Sequence, residues 1–107
     1  MSLDGLPSGA FIVVFLQGPK EQFWGRLLSI GPAGIVLRGL DLEAFEDWLR
    51  QEARGEDKEI GPLTFFFPMH RVVRIEEDET VGPVSSYASR FQRDSGRSPV
   101  DALEEPR

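Results

Sequence analysis

Few side chains in this sequence are suited to chemistry. Of its 107 residues one is a histidine, His70, and none is a cysteine. Disulfides, thiol nucleophiles and thiolate metal sites are thereby excluded, as is a histidine-rich metal cage within one chain. Ser85, Ser86, Ser89, Ser95 and Ser98 lie away from any expected pocket, and a serine nucleophile would need His70 as its base. Glu76-Glu77-Asp78-Glu79 has the carboxylates for a hard cation but not the ligand spacing, so it reads as a solvated cap. Gly31-Pro32-Ala33-Gly34 has the glycine content of a phosphate loop, yet no Gly-Lys-Ser/Thr comes after it and no helix is predicted there. Trp24, Phe45 and Trp48 are aromatic enough to stack bases. Phe45 and Trp48, however, sit among Glu43, Glu46 and Asp47, which favours packing of a helix onto a sheet. The expectation is a chain that is not an enzyme, with no catalytic site, no metal and no cofactor.

Charge narrows the partners. The net charge is −6, unevenly distributed. Residues 11–75 carry nine acids and eight bases, whereas residues 76–107 carry eight acids and four bases. A dedicated binder of phosphate backbones usually shows a basic excess, and the body of this chain has none. RNA is therefore possible through a local patch but not favoured by charge. No apolar run approaches the roughly 20 residues of a membrane span, and the first ten residues lack a signal-peptide layout. A cytoplasmic protein without a membrane partner is expected.

The elements that would position these residues are set by periodicity. Residues 1–10 read as a lead-in. Phe11 to Leu16 is continuously apolar, the pattern of a strand covered on both faces. Gln22 to Ile30 is a second strand, with Trp24, Arg26, Leu28 and Ile30 on one face and Phe23, Gly25, Leu27 and Ser29 on the other. Gly25 within it predicts a bend or a close backbone approach. Ile35 to Arg38 is a short third strand. Over 41–54, Leu42, Phe45, Trp48 and Leu49 recur at helical spacing, with Asp41 as N-cap, Gly55 just past the end and a Glu46–Arg50 pair on the surface. Leu63 to Phe67 and Val72 to Glu76 are strands four and five. Val84, Tyr87, Ala88 and Phe91 allow a turn or two of helix, and the acidic segment 77–107 is expected to be largely flexible.

The segment VFLQGPKEQFWGRLLSIGPAGIVLR resembles the first three strands of the Sm-like family, bacterial Hfq included. Val14, Phe15, Leu16, Gly18, Lys20, Gly25, Leu27, Ser29 and Ile30 carry the likeness. TFFFPMHRVVRI is similar to the family's second motif, two short strands joined by a tight connection, with His70 at the place of a histidine in Hfq. The resemblance covers residues 11–76. It implies a mainly β fold: a five-stranded SH3-like or Sm-like small barrel with an α-helix in an insertion, 39–61, between strands three and four. It also implies a homo-oligomer, of which a ring is one form, in which the fourth strand of one subunit pairs with the fifth of the next. The family's RNA-reading turn after the second strand is replaced here by Gly31-Pro32-Ala33-Gly34-Ile35. Pro68 and Met69 replace a tyrosine and a lysine of Hfq.

Three phenylalanines in a row sharpen the interface reading. A strand sends alternate residues to one face, so at least one of Phe65, Phe66 and Phe67 must point away from the barrel interior. Either the helix or the tail covers it, or it meets another subunit. The expected interface comprises Leu63, Phe65, Phe66 and Phe67 on one edge and Val72, Val73 and Ile75 on the other. The expected function is that of a non-catalytic, self-associating Sm-like barrel serving as a binding or scaffolding module. The alternative is RNA binding in the manner of Hfq, with Arg38, His70 and Arg71 forming a rim of the oligomer.

Overall fold

A computed structural model describes residues 6–105. Residues 1–5 of the expected lead-in lie outside the described residues. Five antiparallel strands form one sheet in the order β4-β3-β2-β1-β5: β1 Phe11–Leu16, β2 Glu21–Gly31, β3 Gly34–Asp41, β4 Leu63–Pro68 and β5 Val72–Glu77. Helix α1, Phe45–Arg54, lies between β3 and β4; α2, Tyr87–Ser95, and α3, Pro99–Glu104, come after β5. Each expected strand is present, and β3 runs three residues further than the apolar run suggested.

The sheet is open, because its edges β4 and β5 share no ladder, but it is strongly curled. The 3-10 turn Met69–Arg71 joins the two edge strands. Those few residues span at most about 14 Å of chain, whereas the edges of a flat five-stranded sheet lie about 19 Å apart. Phe23 of β2 accordingly meets Phe65 and Phe67 of β4 across the curl, at ring-centroid distances of 4.9 and 4.8 Å. The inner cluster of Ile12, Val14, Leu16, Phe23, Leu27, Ile35, Leu37 and Phe67 draws on β1 to β4, with Val72 and Ile75 of β5 packed against it. On the outer face Val13, Trp24 and Leu40 pack under the three helices. Alternation thus sends β1 residues into two cores, as its unbroken apolar run implied.

The curl requires close strand contact at one place. Gly25 and Gly39 face each other in the β2–β3 ladder. A Cβ on Gly25 would stand 2.2 Å from the Arg38 carbonyl oxygen, and one on Gly39 2.0 Å from that of Trp24. Beyond them the ladder slips between Leu27 and Ser29, leaving Leu28 as an extra residue. The bulge reverses the facing of the remaining β2 residues, so Ile30 packs with the inner cluster rather than beside Trp24.

Asp41 caps the helical segment as expected, its carboxylate accepting from the Glu43 amide at 2.8 Å, and Gly55 ends it with φ +65°. The segment begins as a 3-10 turn, Leu42–Ala44, before α1. Glu46 pairs with Arg90 of α2 instead of Arg50, which pairs with Asp47.

The acidic segment 77–107, expected to be largely flexible, differs most from its sequence reading. Within it α2 and α3 dock on α1 and the sheet, with Phe91 and Leu103 fully buried. Phe91 stacks on Trp48 at 4.3 Å, and Trp48 in turn abuts Trp24 and Phe45. The three aromatic residues that could have stacked bases are therefore core.

Candidate functional site

Ser86 and Ser98 cap α2 and α3, each hydroxyl accepting from a backbone amide three residues on. Among the described residues no group of three or more acidic or histidine side chains is placed to hold a metal ion. No helix of the described chain is long and apolar enough to cross a membrane.

Arg38, His70 and Arg71 are not brought together. Arg38 pairs across the ladder with Arg26, which pairs with Phe11 at the start of β1. Arg71 reaches the turn after the far end of β1. The two arginines thus stand at opposite ends of the sheet. Arg38 donates to the carbonyl oxygens of Leu103, at 2.6 Å, and Glu105, at 3.0 Å, and so holds the end of α3. Arg71 donates to the carbonyls of Gln17 and Pro19 and pairs with Glu21 at 2.9 Å, bracing the β1–β2 turn. Both guanidinium groups are engaged within the chain, while His70 is exposed.

Sequence groups Asp78 with a solvated acidic cap, yet it organises the C-terminal layer. Its carboxylate accepts from the Trp24 indole at 2.9 Å and from the backbone amides of Tyr87 and Ala88, each at 2.9 Å. One side chain thereby ties the first turn of α2 to the middle of β2. Partners 54 residues apart leave no local sequence signal for this role.

A second fastening surrounds Glu52. Its buried carboxylate pairs with Lys58 at 2.8 Å and with Arg97, and both cations also reach Glu105. The hydrogen bond to Glu52 holds the Lys58 ammonium above its ordinary pKa, and Arg97, then Lys58, hold the Glu105 carboxyl below its own. A depressed carboxyl contributes stability above its unfolded pKa of about 4.3 and loses it as pH falls through the lower folded value. The raised lysine contributes below about pH 10 and loses that contribution above it. Docking of the α3 end is therefore expected to hold between those limits and loosen in acid. An acid titration should shift the NMR signals of Ala102 and Leu103 before those of β1; simultaneous loss of both sets would contradict this.

The two sheet edges remain. On β4 the alternation resolves the three phenylalanines: Phe67 is buried, Phe65 half-buried and Phe66 58% exposed. Phe66 pairs in the ladder with Val36 and shares the outer face with Thr64, beside Arg38. Leu63 is also exposed. On β5 Val72 and Ile75 are half-buried against the inner cluster. The ladder passes from Phe15–Arg74 to Leu16–Val72, leaving Val73 as a bulged residue that is 55% exposed. The Arg74 guanidinium lies 4.0 Å above the Phe15 ring and bonds Glu76 at 2.9 Å. No family model matches the chain, and no curated protein or solved structure is significantly similar to it.

Proposed function

We propose that this chain is a non-catalytic Sm-like barrel that associates with copies of itself and serves as a binding or scaffolding module. The observation that carries the reading is the pair of unpaired sheet edges, bearing Phe66 at 58% and Val73 at 55% exposure. Unpaired backbone groups on an exposed edge invite a further strand, and of the two edges β4 is the apolar one, since β5 carries Arg74, Glu76 and Glu77. Soluble chains usually blunt such edges with charge, yet Leu63–Pro68 has no charged residue. The strand order and the three-residue connection between β4 and β5 support the Sm-like reading, since the family's second motif is two short strands tightly joined. The helical layer supports a scaffolding role rather than an interior site, because it covers the outer face of the central strands and leaves both edges open.

Phe66→Asp tests the reading. A carboxylate cannot be buried against an apolar neighbour without a partner. The variant is expected to fall to the mass of one chain by light scattering, with its helical circular dichroism retained because Phe66 is outside both cores and its melting point lowered only by the lost association. A variant that keeps the parent's multi-copy mass would remove β4 from the account.

A further inference from the structure

We infer that the groove between the end of β5 and the start of α2 docks a basic segment of a partner protein, one that sets a lysine or arginine beside an apolar residue. The concavity measures about 680 Å³, and Val13 and Tyr87 line it together with the turn that carries Val81 and Val84. Those two valines are the most exposed large apolar side chains among the described residues, at 69% and 67%. They do not sit on a loose loop. Val81 and Val84 exchange both backbone hydrogen bonds, at 2.9 and 3.0 Å, around Gly82-Pro83. Directly opposed residues of such a pair project to the same side, so the two valines form one apolar surface. The Thr80 hydroxyl accepts from the Ser86 amide at 3.1 Å, and the Asp78 carboxylate accepts from the amides of Tyr87 and Ala88. The segment is thus fastened at successive points and holds its apolar residues in water, so a partner need not order a loop on binding.

Charge selects the partner. The β5 wall and the turn after it present Glu76, Glu77, Asp78 and Glu79, against Arg90 and Arg93 on the α2 wall. Both arginines are engaged within the chain, Arg90 with Glu46, and Arg93 with Asp94 at 2.9 Å and the Ser85 hydroxyl at 3.2 Å. Glu76 is met by Arg74, and Asp78 by its three donors. Among the described residues Glu77 and Glu79 have no cationic nitrogen within 4.0 Å. They lie together instead: the hydrogen bond shared with Glu79, and repulsion from it, hold the Glu77 carboxyl above its ordinary pKa. The groove therefore joins unmatched negative charge to an exposed apolar surface. A partner that fits supplies a cation and an apolar side chain side by side, and alternate residues of an extended segment fall on one side. The groove is complete within one copy, so the inference goes beyond self-association and does not depend on it.

Titration of the isotope-labelled full chain with a short peptide alternating lysine and leucine tests the groove by NMR. Saturating shifts are expected at the amides of Val13, Glu79, Val84 and Tyr87. A peptide alternating lysine with serine should bind about tenfold more weakly, because it leaves the valines uncovered. One alternating aspartate with leucine should not bind. Glu77→Gln with Glu79→Gln, and separately Val81→Ser with Val84→Ser, should each weaken the lysine–leucine peptide about tenfold. All four positions are exposed, so the fold should keep its circular dichroism. Glu56→Gln with Asp57→Asn removes an acidic pair from the α1–β4 connection and should leave the affinity unchanged. Absence of binding, shifts centred on residues 56–59, or an affinity indifferent to the groove substitutions would overturn the inference. A lysine–serine peptide, or spermine, that binds as tightly as the lysine–leucine peptide would overturn it too, since charge alone would then explain the attraction.

Discussion

Gly25→Ala is expected to abolish the cooperative fold. The added methyl group would stand 2.2 Å from the Arg38 carbonyl oxygen and 2.7 Å from the Gly39 Cα, both backbone atoms that no rotamer change can move. Relief requires β2 and β3 to part, yet Trp24 and Leu40 on one side of this point and Leu27 and Leu37 on the other hold the two cores together. The cost should exceed about 4 kcal/mol, in the extreme tail of single substitutions and close to the whole stability of a small domain. Near-ultraviolet circular dichroism and a thermal melt read the result. Gly31→Ala is the matched control, because a Cβ there meets nothing within 4 Å. A Gly25→Ala melt as sharp and as high as that of the control would show that the strands have room to separate.

Trp48→Ala is expected to cost roughly 3–5 kcal/mol, the range for removing a large aromatic side chain from a core. Trp48 is buried, stacks on Phe91 of α2 and lies against Trp24 of β2 and Phe45 of α1. With Phe45, it is one of two side chains through which α1, α2 and the sheet meet. The loss should fall first on the helices: α2 and α3 should become readily cleaved by protease while β1–β5 keep their protection. Equal protection of all elements, with a melting point near the parent's, would mean that α2 is held by Asp78 and not by the aromatic cluster.

Much of this architecture was legible because burial imposes period. Phe11–Leu16 is apolar throughout because its residues enter two cores, and Leu42, Phe45, Trp48 and Leu49 mark the one face of the helical segment that meets the sheet. The facing of β2 could be read as far as Leu28 and no further, because a bulge is a property of the ladder between strands and not of one strand's period. The C-terminal layer was concealed by sparseness: among the described residues, Phe91, Pro99, Ala102 and Leu103 are its only buried apolar members. Local signals were nevertheless present, in Ser86 before α2, Gly96 after it and Ser98-Pro99 at the start of α3. The exposed member of the phenylalanine run was bounded by alternation alone, and its identity as Phe66 is fixed by the pairing of Val36 with that residue. Arg38 and Arg71 illustrate the converse. A basic side chain reads as available until its partners are known, and here those partners are backbone carbonyls 52 to 67 residues away in the chain.

Light scattering of the unsubstituted chain at micromolar concentration tests the account at its root. The apolar side chains on β4 and β5 are expected to be covered by other copies, which gives a mass that is a multiple of 12.0 kDa. A stable mass of 12.0 kDa would contradict it, since each molecule would then carry Phe66 and Val73 in water with nothing to cover them.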